Sequence, residues 1–300
     1  MKPPLPNAEA RLRRARPLLG TVVEIQVSGL APAQLERAIS RAFAAITHVQ
    51  MVMSFHDPAS DLSRINRLAA RRAVRVDAAT WTVLRHARAL TRVSEGRFDP
   101  SIAPILQRWG LLPGVPHPRQ PETNGSAICL LPGRRVRFLA PLTLDLGGIA
   151  KGYAVDRAVA VLRRAGVPAG LVNAGGDLRV FGNHAAPVHV RHPTKPGLFF
   201  PLGELRDGAL ATSALTYSGK IQQGTATGAL VDPRNGTACG QNLSITVLAR
   251  SAWLADALTK VVAVDPAAAR PILARYGARA VILDTQGRAD WLDTPLRHVA

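Results

Sequence analysis

The sequence predicts an α+β fold built on a largely antiparallel sheet. Three observations carry that expectation. Runs rich in β-branched residues are short and bounded by glycine, proline or asparagine, the pattern of hairpin-linked strands. Helical stripes fall between them at irregular intervals, not in the strict alternation of a doubly wound parallel sheet. No segment repeats with a period of about 20–50 residues, which excludes a solenoid.

The elements follow in order. GTVVEIQVSG, from Gly20 to Gly29, alternates apolar and polar residues and reads as a strand. Leu35, Ile39, Phe43 and Ile46 form one stripe, so a helix is expected from about Pro32 to Val49. A second helix is expected from about Ala78 to Ser94. Pro113 to Gly133 is rich in proline, glycine and polar residues and reads as a long loop. RVRFL and LTLDL read as two short strands, and a helix opens after Gly147 and Gly148 and runs to about Ala165. Short β runs follow at GLVNA, DLRVFG, PVHVRH and Ala209 to Ser213. The closing unit is a strand (Leu243 to Leu248), two helices (Ala252 to Val262 and Pro266 to Tyr276) and a strand pair around Ala280 to Trp291.

At 300 residues, 47% hydrophobic and 19% charged, the chain can bury a sizeable core, which excludes wholesale disorder. No apolar run is long enough to span a membrane. No apolar segment follows the Arg13-Arg14 pair, so a cytoplasmic location is expected, with Cys129 and Cys239 as reduced thiols. The net charge is +18, which raises nucleic acid as a partner. Arginine supplies 33 of the 38 basic residues, but they are spread along the chain without interleaved aromatics. No nucleic-acid partner is therefore expected, and a polyanionic small molecule or an acidic protein suits the charge as well.

Three motifs carry chemistry. LDLGGIAKGYAVDRAV, Leu144 to Val159, joins a strand to a helix through two glycines. The helix N-terminus, with Lys151 in its first turn, can hold a phosphate; a plain turn capped by Asp145 explains the same residues. LVNAGGDLRVFG joins two strands through Asn173, Gly175, Gly176 and Asp177. That is either an ordinary hairpin or bare backbone against a planar ligand. ADALTKVV sets Asp256, Thr259 and Lys260 on one helical face. It can hold a hard cation such as Mg²⁺ through oxygen, or it is a solvated Asp–Lys pair worth a few tenths of a kcal/mol, roughly. The histidines 184, 189 and 192 do not share a strand face, and no metal cluster is expected there.

Together these segments resemble the ApbE family of flavin transferases. PLLGTVVEIQV, MSFHDPASDLSRIN, GRFDPSIAPILQRWG, LDLGGIAKGYAVD, VNAGGDLRVFG, VRHP, ATS, VDPRNG and ADALTK run in the family's order from about Arg16 to Trp291. The resemblance implies residues 16–295 as one flavin transferase domain behind a basic tail of residues 1–15, with 113–133 between two closely associated subdomains and FAD in the cleft between them. It implies Mg²⁺-assisted attack by a threonine hydroxyl of an acceptor flavoprotein on FAD, attachment of FMN by a phosphoester and release of AMP. The acceptors it suggests are respiratory or FMN-binding-domain proteins. By position, Met53, His56, Phe98, Asp99, Asp145, Lys151 and Asn173 to Asp177 fall at flavin-site positions, and Gly148 and Asp256 at the metal, with Thr259 the nearby hydroxyl one position before the family's threonine.

Two positions depart from the family pattern. Lys260 stands where relatives carry a metal-binding threonine, and Ala229 where they carry a histidine suited to act as base. Asp256, Asp232 and Lys260 remain as candidates for the chemistry, with Asp232 or water as base. A flavin-binding paralogue with weak or no transferase activity is the alternative.

Overall fold

The computed structural model describes residues 10–114, 125–195, 197–214, 220–222, 225–227, 230–240 and 242–292. Ala229, the first nine residues and much of the 113–133 stretch lie outside that set. The chain opens with β1 (Arg11–Leu18) and β2 (Thr21–Ser28), then α1 (Pro32–Met53), α2 (Asp61–Leu68), β3 (Val74–Arg75), α3 (Ala78–Val93) and α4 (Ala103–Arg108). β4 (Ile128–Leu131) and β5 (Arg135–Phe138) lead to α5 (Ala150–Arg164). Strands β6 (Ala169–Ala174), β7 (Asp177–Phe181), β8 (Ala185–Arg191), β9 (Phe199–Arg206) and β10 (Ala209–Ala214) follow. After β11 (Lys220–Gln222) and β12 (Thr225–Thr227) come β13 (Val231–Asp232), β14 (Thr237–Ala238) and β15 (Ser244–Ala249). The chain closes with α6 (Ala252–Val264), α7 (Pro266–Tyr276), β16 (Arg279–Leu283) and β17 (Ala289–Leu292).

The main sheet has eight strands in the order β1-β2-β6-β7-β10-β15-β16-β17. Every neighbouring pair is antiparallel, which agrees with the fold class read from the sequence. One face is covered by α1, α5 and α6. β2 shows why: Val23, Ile25 and Val27 point into the core, while Val22 is 61% exposed. The stripe Leu35, Ile39, Phe43 and Ile46 of α1 is fully buried in the same core. That core also takes in Val83, Leu84, Val136 and Phe138, so α3 and the small β3-β5-β4 sheet belong to it. The β8–β9 hairpin covers the other face, Val188 and Leu205 packing in one cluster with Leu171, Val180 and Leu210 of the sheet.

Several local expectations need correction. Residues 11–15 belong to β1, not to a tail. LTLDL is not a strand, because its backbone is held by other partners. Asn66 accepts from the Leu144 amide at 2.8 Å and donates to its carbonyl at 2.9 Å, and the Asp145 amide donates to the Pro100 carbonyl at 2.7 Å. The end of the 113–133 stretch is a turn and strand β4, where the run ICLL pairs with β5. PVHVRH lies in β8, which pairs with β9 outside the main sheet. α2 and α4 are additional short helices; Ser60 caps α2 by accepting from the Ser63 amide at 3.0 Å.

α5 and α6 cap each other. Asp156 of α5 accepts from the Ala252 and Trp253 amides at the start of α6, at 3.0 and 2.9 Å. Asp256 of α6 accepts from the Gly152 amide in the first turn of α5, at 3.1 Å. The helices approach so closely that a Cβ on Gly152 would lie 2.2 Å from the Ala252 carbonyl oxygen. Each aspartate answers the orphaned amides of the other helix.

Candidate functional site

A cleft of about 750 Å³ opens beside the start of α5. Of the residues singled out in the sequence, Phe98, Asp99, Asp145, Gly148, Lys151, Asn173, Gly175, Gly176 and Lys260 line it. Elements far apart in sequence converge there: the Phe98–Asp99 turn, the Gly147–Gly148 turn, the β6–β7 hairpin and α6.

The β6–β7 turn is built for bare backbone. Gly175 and Gly176 have φ of +64° and +104°, where a side chain is strained. A Cβ on Gly175 would also meet Thr21 Oγ1 at 2.5 Å. Asn173 closes the turn by accepting from the Gly176 amide at 3.0 Å.

Two lysines form the floor. Lys151 Nζ donates to Asp177 at 2.6 Å, and Lys260 Nζ bonds to Asp256 Oδ1. Both aspartate side chains are almost wholly buried, whereas the lysine side chains are 36% and 18% exposed. The lysines, not the carboxylates, therefore face the ligand space. Burial disfavours the Lys151 ammonium, but Asp177 and Asp256 outweigh it and hold the proton above lysine's usual range. Burial and the Asp256 charge push Asp177 up to about 6 in spite of Lys151. Burial also acts to raise Asp256, and Lys260 with Lys151 outweighs it, so this carboxylate stays ionised below the usual range. Asp145 is pushed up chiefly by burial, although the Gly147 amide donates to it at 3.1 Å.

Other expected roles change. Met53 is buried in the core at the end of α1 and does not line the cleft. His56 is exposed, near enough to Asp145 for its charge to act there. The Asp99 carboxylate is taken up by the Ser101 amide and hydroxyl, at 2.8 and 2.6 Å, and by the Gly125 amide at 2.9 Å. Both its oxygens are used in shaping a turn at the edge of the cleft. Asp232 is gripped by Arg234 at 3.0 and 2.8 Å. Burial acts to raise it, but the Arg234 bonds and charge hold it below the carboxylate range, which makes it a poor base. The helix N-terminus of the phosphate reading is partly spoken for, since the Ala150 amide returns to the Leu146 carbonyl at 2.8 Å and Gly152 to Asp256.

The residues present do not fit a Mg²⁺ at Asp256. One carboxylate oxygen bonds to Lys260 and the other to the Gly152 amide. The Thr259 hydroxyl donates to the Asp256 carbonyl at 2.7 Å and meets Ser213 Oγ at 2.8 Å, one residue behind the cleft lining that Ser213 forms. Gly148 faces the Lys260 side chain, whose Cε would lie 3.4 Å from a Cβ there. Among the described residues no group of three His, Cys, Asp or Glu is arranged to hold a metal. The Asp256–Lys260 pair is also buried, not the solvated pair offered as an alternative.

Sequence reasoning passed over Thr21, Arg97, His189, Arg191, Phe199 and Thr212 as lining residues. Arg97 sits inside the GRFDP segment and was within reach of a charge argument. Arg191 and Phe199 arrive on the β8–β9 hairpin, whose placement no local pattern states.

An antiparallel sheet edged by a lysine-floored cleft with bare glycine turns defines an α+β protein with a positively charged cleft. More narrowly, the chain belongs to the ApbE family, whose model matches residues 19–283. It is 30% identical over 284 residues to the FAD:protein FMN transferase of Rhodobacter capsulatus, covering 88% of this chain and 54% of that protein. The chain thus spans about half the length of that relative. The FAD:protein FMN transferase of Vibrio cholerae is 29% identical over 262 residues, 81% of this chain and 78% of that one. The solved ApbE protein of Thermotoga maritima superposes with a TM-score of 0.81 at 26% identity, covering 94% of this chain and 96% of that one. The Vibrio cholerae flavin transferase structure superposes at 0.76 with 22% identity, covering 94% and 96%, and supports the fold. No helix among the described residues is long and apolar enough to cross a membrane.

Proposed function

We propose that this chain binds FAD and transfers its FMN half to a hydroxyl of an acceptor flavoprotein, a threonine by family resemblance, releasing AMP. One observation carries the reading: Lys151 and Lys260 line the same cleft as the bare turns Gly147–Gly148 and Gly175–Gly176. Two ammonium groups suit a pyrophosphate, and bare backbone suits the close approach of a flat ring. The family membership narrows the ligand to a flavin nucleotide.

The transfer is a displacement at phosphorus. The acceptor oxygen bonds to the FMN phosphorus as the bond from that phosphorus to the bridging oxygen breaks. The hydroxyl proton goes to water, and AMP leaves with the bridging oxygen. Negative charge grows on the leaving phosphate, where preorganised cations stabilise it most. Lys151 and Lys260 are held ready by buried carboxylates and need no rearrangement to do so.

The test is incubation of the full chain with FAD and an FMN-acceptor domain, reading the intact mass of the acceptor and the AMP released. An FMN-sized mass gain with matching AMP is expected. Bound FAD with neither product, over several acceptor domains, would replace this reading with flavin binding alone. The grip of Arg234 on Asp232 favours that second reading, since it removes a nearby base.

A further inference from the structure

The atoms gathered around Lys260 Nζ are those a hard cation takes. They are Asp256 Oδ1, the Asp256 backbone carbonyl at 3.0 Å and Ser213 Oγ at 3.4 Å. A carboxylate, a main-chain carbonyl and a hydroxyl form an all-oxygen set of the kind that holds Mg²⁺ or Ca²⁺. Here the chain fills it with its own ammonium. The lysine lies one helical turn beyond Asp256, so the helix itself delivers the charge. Its stem runs along Gly148, within ordinary van der Waals reach of a Cβ placed there. The second oxygen of Asp256 is committed to the α5 amide. A divalent ion would have to displace a tethered, hydrogen-bonded cation from a carboxylate whose two oxygens are both already hydrogen-bonded. The contact to Ser213 is long, so that N–H is the one able to turn toward a ligand oxygen in the cleft.

We infer that Lys260 is a built-in replacement for a divalent cation: its ammonium meets the substrate pyrophosphate directly, and the cleft binds FAD without metal. The inference rests on the flavin-transfer reading for its ligand but not for its cation. A lysine supplies one positive charge where Mg²⁺ supplies two, and it acts beside Lys151 in the same cleft.

Two measurements on the full chain test it. The first titrates Mn²⁺ and reads the free ion by electron paramagnetic resonance. The wild-type chain is expected to take up none at this site, and Lys260→Thr to take up one equivalent. The second follows flavin fluorescence during FAD titration in excess EDTA and in excess Mg²⁺. Wild-type affinity is expected to agree within about twofold between the two buffers. Lys260→Met is expected to lose about tenfold or more in both, and Lys260→Arg to keep its independence of metal. In Lys260→Thr, FAD affinity should fall in EDTA and recover in Mg²⁺. Stoichiometric Mn²⁺ uptake by the wild type would overturn the inference. So would a tenfold loss of wild-type FAD affinity in EDTA, roughly, or a Lys260→Met chain that binds FAD as the wild type does. The wild-type arms need no variant to fold. A chain that binds no FAD in either buffer would refute the flavin reading, while the Mn²⁺ titration still decides the cation.

Discussion

Arg234 takes both carboxylate oxygens of Asp232 and lies 3.9 Å from Asp265, so one guanidinium ties the β13–β14 turn to the start of α7. Asp232 is held below its ordinary value of 3.8 in the folded chain, burial opposing and Arg234 outweighing it. The unfolded chain therefore binds more protons over the window between the folded value and 3.8. The stability this pair contributes is fully present above the unfolded value and is lost as pH falls through the folded one. Arg234→Ala should lower stability at neutral pH by about 1 kcal/mol, a discounted figure because the guanidinium is 41% exposed. The deficit should vanish as pH falls below the folded value, where the carboxyl is protonated in both chains. Urea midpoints measured from neutral to acid pH check this, and an offset independent of pH would refute it. In the sequence Asp232 reads as a candidate base; only Arg234, two residues on and bonded to both its oxygens, marks it as a poor one.

At the scale of elements, the mutual capping of α5 and α6 sets the spacing of the two lysines, since Lys151 rides on one helix and Lys260 on the other. Gly152 is what permits that approach. Gly152→Ala meets rigid backbone, so the helices must part. A loss of about 2–3 kcal/mol is expected, within the usual cost of overpacking. FAD affinity should fall along with stability, because the lysines move apart. A destabilised variant with unaltered FAD affinity would show that the helix spacing does not position the lysines. Elements with a strong periodic signal were legible: α1 runs from Pro32 as expected, four residues longer than its stripe suggested. β1 was not, because RLRRARPL is a mostly exposed edge strand with no apolar face to read. LTLDL misled because its β-like pattern is satisfied by Asn66, a partner far away in sequence. The same limit governs the site. Lys151, Asp256 and Lys260 stood out as motif residues, but which of them faces the cleft depends on burial that only packing decides.

Over the whole molecule, the +18 charge and the cleft act on the same ligand at different ranges. Exposed arginines act through water and are screened beyond about 10 Å at 0.1 M salt. The lysines on the cleft floor are partly buried, so salt screens their contact with a bound pyrophosphate far less. The two contributions separate kinetically. Long-range attraction raises the rate at which a dianionic ligand arrives, whereas close contacts set how long it stays. Stopped-flow mixing with FAD should show the association rate falling about three- to tenfold between 50 mM and 500 mM salt, with dissociation nearly constant. Riboflavin, which lacks phosphate, is the control and should associate at a rate indifferent to salt. If FAD and riboflavin respond alike, the net charge does not steer the ligand and serves another purpose, such as meeting an acidic acceptor. If dissociation of FAD instead accelerates steeply with salt, the floor lysines are more open to solvent than their buried partners imply, and the cleft holds its ligand mainly by charge at the surface.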